Sequence, residues 1–185
     1  MRIGMPHMGN LYIPFKSLFE RLGIDYVIPP VTSQRTLSLG VKHSPEGLCI
    51  PFKLTTGNLI EAAELGADTM LMPAGHGICR LGYYARIQEQ ILHDLGFSNV
   101  KIVGVGVSDD KLSKSGLFGT IKYLSNDASW FKIIPAIRFA LKKLSSLDHA
   151  ERITQKVRAR ELVKGTANQL LAKAVKAIDG VGDYR

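Results

Sequence analysis

Two cysteines, Cys49 and Cys79, are the residues of this sequence best suited to chemistry, and the chain has no others. Cys49 stands just before a helix that Pro51 is expected to open. Cys79 stands just before a periodic helix that runs to Leu95. Free N–H groups and the positive dipole end at a helix N-terminus favour thiolate, the form that attacks electrophiles and binds metals. Inert buried cysteine is the competing interpretation, and the absence of Cys-x-x-Cys spacing disfavours a zinc or thioredoxin-like site.

Charged and imidazole side chains near the two cysteines could influence how readily the thiols form thiolates. Arg80 adds positive charge directly after the second cysteine. His76, in the glycine-rich turn 75–77, could donate a proton or bind a metal, although an exposed loop histidine without a role is the commoner case. Lys53 and Glu46 flank the first cysteine and could orient a substrate carboxylate or tune the thiolate. Ordinary surface charges at a helix start would give the same sequence pattern.

Several common catalytic motifs do not occur in the sequence. It contains no G-x-x-x-x-G-K-[ST] phosphate loop, no G-x-S-x-G nucleophile elbow and no H-E-x-x-H metal site. We therefore do not expect this chain to hydrolyse ATP by itself.

Short apolar runs alternate with helical periodicity through the first part of the chain. Strands are predicted at residues 3–6, 26–28, 69–72 and 100–107, and glycines are expected to end the intervening helices at Gly23, Gly40, Gly66 and Gly96. Thr32 or Ser33 can cap the short helix that Gly40 closes. Nearly continuous apolar strands between helices are typical of a parallel sheet covered on both faces.

Residues 1–108 are therefore predicted to form an α/β domain, a doubly wound, flavodoxin-like parallel sheet of about four strands. Helix starts lie at the carboxyl edge of such a sheet, where ligand crevices form. The two thiols are expected to converge at that edge.

The formal net charge of +8 comes entirely from the second part of the chain. Residues 1–100 hold eight basic and eight acidic side chains, whereas residues 101–185 hold sixteen and eight. Helices are predicted there at 116–124, 129–147 and 170–178, the second with one apolar face formed by Phe131, Ile134, Ile137, Leu141 and Leu144. Solvated lysines on amphipathic helices disfavour nucleic acid as a partner. Residues 109–185 are predicted to be a helical, basic segment that continues into a second domain outside this chain.

The hydropathy of the sequence gives no sign of a membrane span or a secretory signal. A bilayer-spanning helix needs roughly 20 consecutive apolar residues, which the sequence lacks, and the N-terminal apolar run breaks at Pro6. A cytoplasmic location is expected, in which the thiols are free or metal-bound instead of disulfide-bonded.

Two longer segments carry a more specific pattern than either cysteine alone. Residues 46–53 have the form E-x-x-C-x-P-x-K, and residues 77–84 have the form G-x-C-R-x-G-x-Y. With the upstream segments IGMP, PFKSLFERLG and IPPVTSQRTLSLG, they make residues 1–108 resemble the 2-hydroxyacyl-CoA dehydratase component and CoA enzyme activase-associated family.

The resemblance implies a [4Fe–4S] cluster with Cys49 and Cys79 as its first two ligands and Lys53, His76 and Arg80 around them. It also implies an ATP-dependent activator protein as partner and, in the dehydratases, an acyl-CoA substrate. The family's third cysteine lies in a later α/β domain, and this chain has no counterpart. Either the chain is part of a longer protein, or another subunit of a homo- or hetero-oligomer or a non-cysteine ligand completes the cluster, or the cluster has been lost.

Two functions from different classes follow. The first is an iron–sulfur electron-transfer or 2-hydroxyacyl-CoA dehydratase-like component of anaerobic metabolism, a lyase or reductase component reduced by the activator. The alternative is a non-catalytic accessory or regulatory module that binds the activator ATPase without a cluster.

Overall fold

The computed structural model describes residues 1–75, 79–106 and 116–182, and within these ranges four parallel strands form one sheet. The strands are β1 (Ile3–Gly4), β2 (Tyr26–Val27), β3 (Thr69–Pro73) and β4 (Lys101–Val105), in the spatial order β2-β1-β3-β4. The predicted flavodoxin-like parallel sheet is confirmed. The strand order reverses between β1 and β3, which makes the carboxyl ends of these two strands the topological switch point.

Helices connect and cover the strands. They are α1 (Tyr12–Leu22), α2 (Gln34–His43), α3 (Ile50–Glu64), α4 (Tyr84–Asp94), α5 (Gly116–Leu124), α6 (Trp130–Arg158) and α7 (Thr166–Gly180), with a 3-10 turn at Arg80–Tyr83 before α4. Gly23 ends α1 in the left-handed conformation that glycine tolerates best, as the sequence predicts. None of the helices in the described ranges combines the length and apolarity that crossing a bilayer requires.

Side chains of β3 alternate between two hydrophobic clusters, one on each face of the sheet. Met70 and Met72 pack with apolar residues of α3 and α4, whereas Leu71 packs with α1 and α5. This alternation is the period-two geometry of a strand that is buried on both sides. The sheet is therefore doubly wound, with α3 and α4 on one face and α1 and α5 on the other.

Helix α2 continues past the position at which the sequence predicts its end. Ser33 caps it in a reciprocal capping box with Thr36, as expected, but the helix runs through Gly40 to His43. Gly40 instead allows α2 to approach α3, because a Cβ there would lie 1.7 Å from the carbonyl oxygen of Lys53. Gly40 therefore allows α2 to pack closely on α3 and does not end the helix.

The α2–α3 contact fixes the loop that carries Cys49. A Cβ at Gly57 would lie 2.0 Å from the carbonyl oxygen of Thr36, so the two helices cross with backbone nearly touching backbone. The buried carboxylate of Glu61 accepts hydrogen bonds from the Thr36 hydroxyl (2.9 Å) and the Arg35 guanidinium (3.2 Å). Both ends of the short loop 44–49 are consequently anchored.

Helix α6 is longer than predicted and buries a different face. Its buried side is formed by Ile133, Ala136, Ala140 and Leu147, of which the first three pack in one cluster with Leu18 and Leu22 of α1. Small alanines let the two helices approach closely. The predicted apolar face is largely outside, with Phe131 92% and Leu141 56% exposed. Apolar periodicity alone could not decide which of two adjacent stripes the core would use.

We predict that Gly57→Ala destabilises the protein by about 1–3 kcal/mol, because the added methyl group must displace the α2 backbone. This would outweigh the gain of about 1 kcal/mol in helix propensity that alanine brings. Urea unfolding measures the change, with Gly180→Ala as control, since a Cβ there would meet no atom within 4 Å. A Gly57→Ala protein more stable than the wild type would refute the close crossing.

Candidate functional site

Cys49 is the N-cap residue of α3, in extended conformation with φ −67° and ψ 157°. Its carbonyl oxygen accepts the N–H groups of Phe52 (3.0 Å) and Lys53 (3.3 Å), which begins the helix. Pro51 suits this first turn, because its missing N–H is not needed there. The thiol of Cys49 is free and exposed at the helix N-terminus, as the sequence indicates.

Cys79 has a different backbone setting from the one predicted. It precedes the 3-10 turn Arg80–Tyr83, and α4 begins only at Tyr84. The tight turn packs against the segment that follows β3, since a Cβ at Gly82 would lie 2.0 Å from the carbonyl oxygen of Gly75. The thiol is free and exposed, but the helix-dipole argument applies to Cys49 and not to Cys79.

Tyr84 connects the two cysteine-bearing segments. It is the first residue of α4, and its buried side chain reaches the first turn of α3. The phenol is hydrogen-bonded to the Cys49 sulfur, and its ring packs edge-on against Phe52 with the centroids 4.9 Å apart. One side chain thus links the start of α4 to the start of α3.

The Tyr84 hydrogen bond stabilises the Cys49 thiolate. The pKa of Cys49 is lowered, mainly because the phenol hydrogen-bonds to its sulfur, with smaller contributions from the Phe52 N–H and the Arg80 charge. Burial, followed by the same hydrogen bond, raises the pKa of Tyr84 to about 12. When Cys49 is a thiolate, the Tyr84 hydroxyl donates to its sulfur.

Both thiols act electrostatically on the same phenol. Negative charge on Cys49 and on Cys79 raises the pKa of Tyr84, and the positive charge of Arg80 opposes this effect. Cys49, Cys79 and Arg80 thus lie near enough to the buried Tyr84 hydroxyl to influence its pKa.

Buried hydrogen bonds between polar side chains also hold α4 against α3. Gln88, one helical turn after Tyr84, donates from its amide nitrogen to the hydroxyls of Thr55 (2.8 Å) and Thr56 (3.1 Å). Its side chain is fully buried. Buried hydrogen bonds of this kind fix the register of the two helices and with it the position of Tyr84.

The remaining predicted residues are placed as follows. The ammonium of Lys53 donates to the carbonyl oxygen of Glu46 (3.3 Å) and so closes the loop before Cys49. Arg80 is exposed and close enough to lower the pKa of Cys49. His76 lies outside the described residues.

The two thiols match an iron–sulfur centre in donor type but not in number. Soft thiolate sulfur is the usual ligand of such centres, which take four. Throughout residues 1–75, 79–106 and 116–182, no group of three or more Cys, His, Asp or Glu side chains could hold a metal ion. This chain alone therefore does not complete a four-iron cluster from the described residues.

A cavity lies at the switch point of the sheet, and the cysteines are not among its lining residues. It has a volume of about 200 Å³ and opens between α1 and the carboxyl ends of β1 and β3. Its lining is apolar and comes from Met5, Pro6, Met8, Leu11, Tyr12, Phe15, Leu71, Met72, Pro73 and Val105. The crevice expected at this edge is thus separate from the thiol pair.

Residues 2–80 match the family model of the CoA enzyme activase uncharacterised domain. The match includes both cysteines and Arg80, and it confirms the activase-associated part of the resemblance. The dehydratase part stays a prediction. No curated protein and no solved structure matches the chain significantly.

Sequence reasoning missed two residues that organise the site. Tyr84 closes the G-x-C-R-x-G-x-Y pattern, but its position beside Cys49 depends on how α4 packs on α3. Gln88 is a polar residue on the inner side of an apolar helix, which is the signal that could have revealed it. Both are defined by contacts between segments more than 30 residues apart.

We predict that Tyr84→Phe raises the pKa of Cys49, because the ring packing is retained while the hydrogen-bond donor is lost. In a Cys79→Ser background, the pH profile of iodoacetamide alkylation reports Cys49 alone and should move to higher pH. Tyr83→Phe is the matched control, since Tyr83 is exposed and precedes α4. An unchanged profile for Tyr84→Phe would show that the phenol does not stabilise the thiolate.

Proposed function

We propose that this chain contributes Cys49 and Cys79 as two thiolate ligands of an iron–sulfur centre that serves a CoA enzyme activase system. The observation that carries the proposal is the pair of exposed free thiols acting on one buried phenol within the activase-related region. In the family that the sequence resembles, such a centre passes on single electrons received from an ATP-dependent activator. The same electron-transfer role is proposed here.

The number of donors determines how the centre would be completed. Two thiolates leave a [4Fe–4S] cluster with two irons in need of other ligands. These ligands would come from a second copy of the chain or from a different polypeptide. The exposure of both thiols supports this arrangement, because a partner must reach the same irons.

The protein side of the proposed centre is already organised. Tyr84 and the Phe52 N–H lower the pKa of Cys49 and so favour the thiolate, which is the form that binds metal. Hydrogen bonds to sulfur ligands also raise the reduction potential of such centres, so Tyr84 would favour the reduced form. Gln88 and the α2–α3 crossing hold these groups in place.

Anaerobic incubation with iron and sulfide tests the proposal. We predict that the wild-type chain binds iron and acid-labile sulfide, and that Cys49→Ser and Cys79→Ser each lose most of both, since neither thiolate alone can hold the centre. Ser44→Ala, on the loop before Cys49, should retain the wild-type content. Size-exclusion chromatography of the loaded protein then distinguishes the source of the other ligands, because completion by a second copy requires a dimer.

Equal iron and sulfide contents in the wild type and in the Cys49→Ser/Cys79→Ser double variant would contradict the proposal. Such a result would favour a second function, an accessory module that binds the activator ATPase without a cluster. The observation that favours this alternative is the absence of a third ligand among the described residues.

The alternative makes its own prediction. A recombinant CoA enzyme activase ATPase should bind the wild-type chain and the double variant with the same affinity if the domain is only an accessory, because the thiols then have no part in the interaction. Biolayer interferometry measures both affinities. Binding that requires the thiols and added iron would exclude the accessory function.

A further inference from the structure

Helix α6 carries an exposed apolar stripe with the spacing of a coiled-coil seam. Trp130, Ile134, Ile137, Leu141 and Leu144 follow one another at intervals of four, three, four and three residues. This is the a/d pattern of a heptad repeat, which places the five side chains in one row. The row ends at Asp148, which forms an ion pair with Arg152.

The stripe is not the face that holds α6 in the fold. The core side of the helix is formed by Ile133, Ala136, Ala140 and Leu147, which are at most 8% exposed. In contrast, Trp130, Ile134, Leu141 and Leu144 are 42%, 50%, 56% and 38% exposed, whereas Ile137 between them is partly buried against the core. Large apolar side chains exposed along one row mark a surface that another molecule covers.

An apolar groove of about 150 Å³ adjoins the second half of the stripe, at Ile137, Leu141 and Leu144. It lies between α6 and α1, with α5 contributing Ile121, and Leu11, Pro14, Ala140, Leu141 and Leu144 are among its other lining residues. The seam from Trp130 to Leu144 is about 22 Å long at 1.5 Å per residue. About two heptads of an amphipathic helix would cover a seam of this length, with apolar side chains inserted into the groove.

The charges beside the stripe indicate the charge that a partner helix would carry. Arg138 occupies an e position next to the a/d row, and Lys142 lies one turn further along the same exposed edge. No acidic side chain lies on α6 between Trp130 and Leu147. A second copy of α6 would bring these cations against each other, whereas an acidic helix would pair with them.

We propose that the α6 seam docks an amphipathic helix of a partner protein that carries acidic residues at its flanking positions. This surface lies on the α1 side of the sheet, whereas the cysteines lie on the α3 and α4 side. The inference therefore does not depend on the proposed iron–sulfur function, and either can fail without the other.

The chain provides its own reporter for the test, because Trp130 is its only tryptophan and lies in the seam. The probe is a synthetic three-heptad peptide with leucine at a and d and glutamate at e and g, and its matched control has lysine in place of glutamate. The acidic peptide should shift the Trp130 emission to the blue, saturably, and with an affinity at least about tenfold higher than that of the lysine peptide.

Two variants separate seam binding from unspecific binding. Arg138→Glu/Lys142→Glu should reverse the preference and bind the lysine peptide better. Leu141→Glu should lose at least about tenfold in affinity, because it places a charge in the apolar row. Leu162→Glu is the control for an exposed apolar residue off the seam and should bind as the wild type does. All replaced side chains are exposed, and far-UV circular dichroism confirms that each variant is folded.

Three results would overturn the inference. The first is the absence of an emission shift with the acidic peptide, or an equal shift with both peptides. The second is a concentration-dependent shift without peptide together with dimer formation, which would identify a second copy as the occupant. The third is a shift with phosphatidylglycerol vesicles that exceeds the one with the acidic peptide, which would identify an anionic membrane surface.

Discussion

The candidate site depends on the hydrogen bond between the Tyr84 phenol and the Cys49 sulfur. It joins the first residue of α4 to the N-cap of α3, and so connects two segments that are 35 residues apart in the chain. The bond stabilises the charged form of the sulfur, which is the form that binds metal. Without it, the Cys49 thiol would lose the interaction that contributes most to lowering its pKa.

The rest of the α3–α4 face supports this bond. Gln88 bonds to Thr55 and Thr56 and holds the two helices in register. Gly40 and Gly57 bring α2 against α3 and thereby fix the loop that leads to Cys49. The tight turn after Cys79 follows from the contact of Gly82 with Gly75. These contacts thus fix the loop before Cys49 and the start of α4, where Tyr84 lies.

The sequence predicts those parts of the fold that depend on local physics. Gly23 and Ser33 act where they were expected, because left-handed caps and capping boxes involve only neighbouring residues. The parallel sheet follows from apolar runs between helices. In contrast, the sequence does not predict that α2 continues past Gly40 or that the apolar face with Leu141 is largely exposed, since both depend on which helix packs against which. Tyr84 and Gln88 were missed for the same reason, because their partners lie in another helix.

The central claim is that Cys49 and Cys79 converge on a common centre, and thiol cross-linking in the folded protein tests it most directly. Dibromobimane becomes strongly fluorescent when both of its arms react with thiols of one molecule. The account predicts rapid fluorescent cross-linking of the monomeric wild-type chain, and its loss in Cys49→Ser and in Cys79→Ser. Reaction of both thiols in the folded wild-type chain with separate reagent molecules, without a cross-link, would contradict the account.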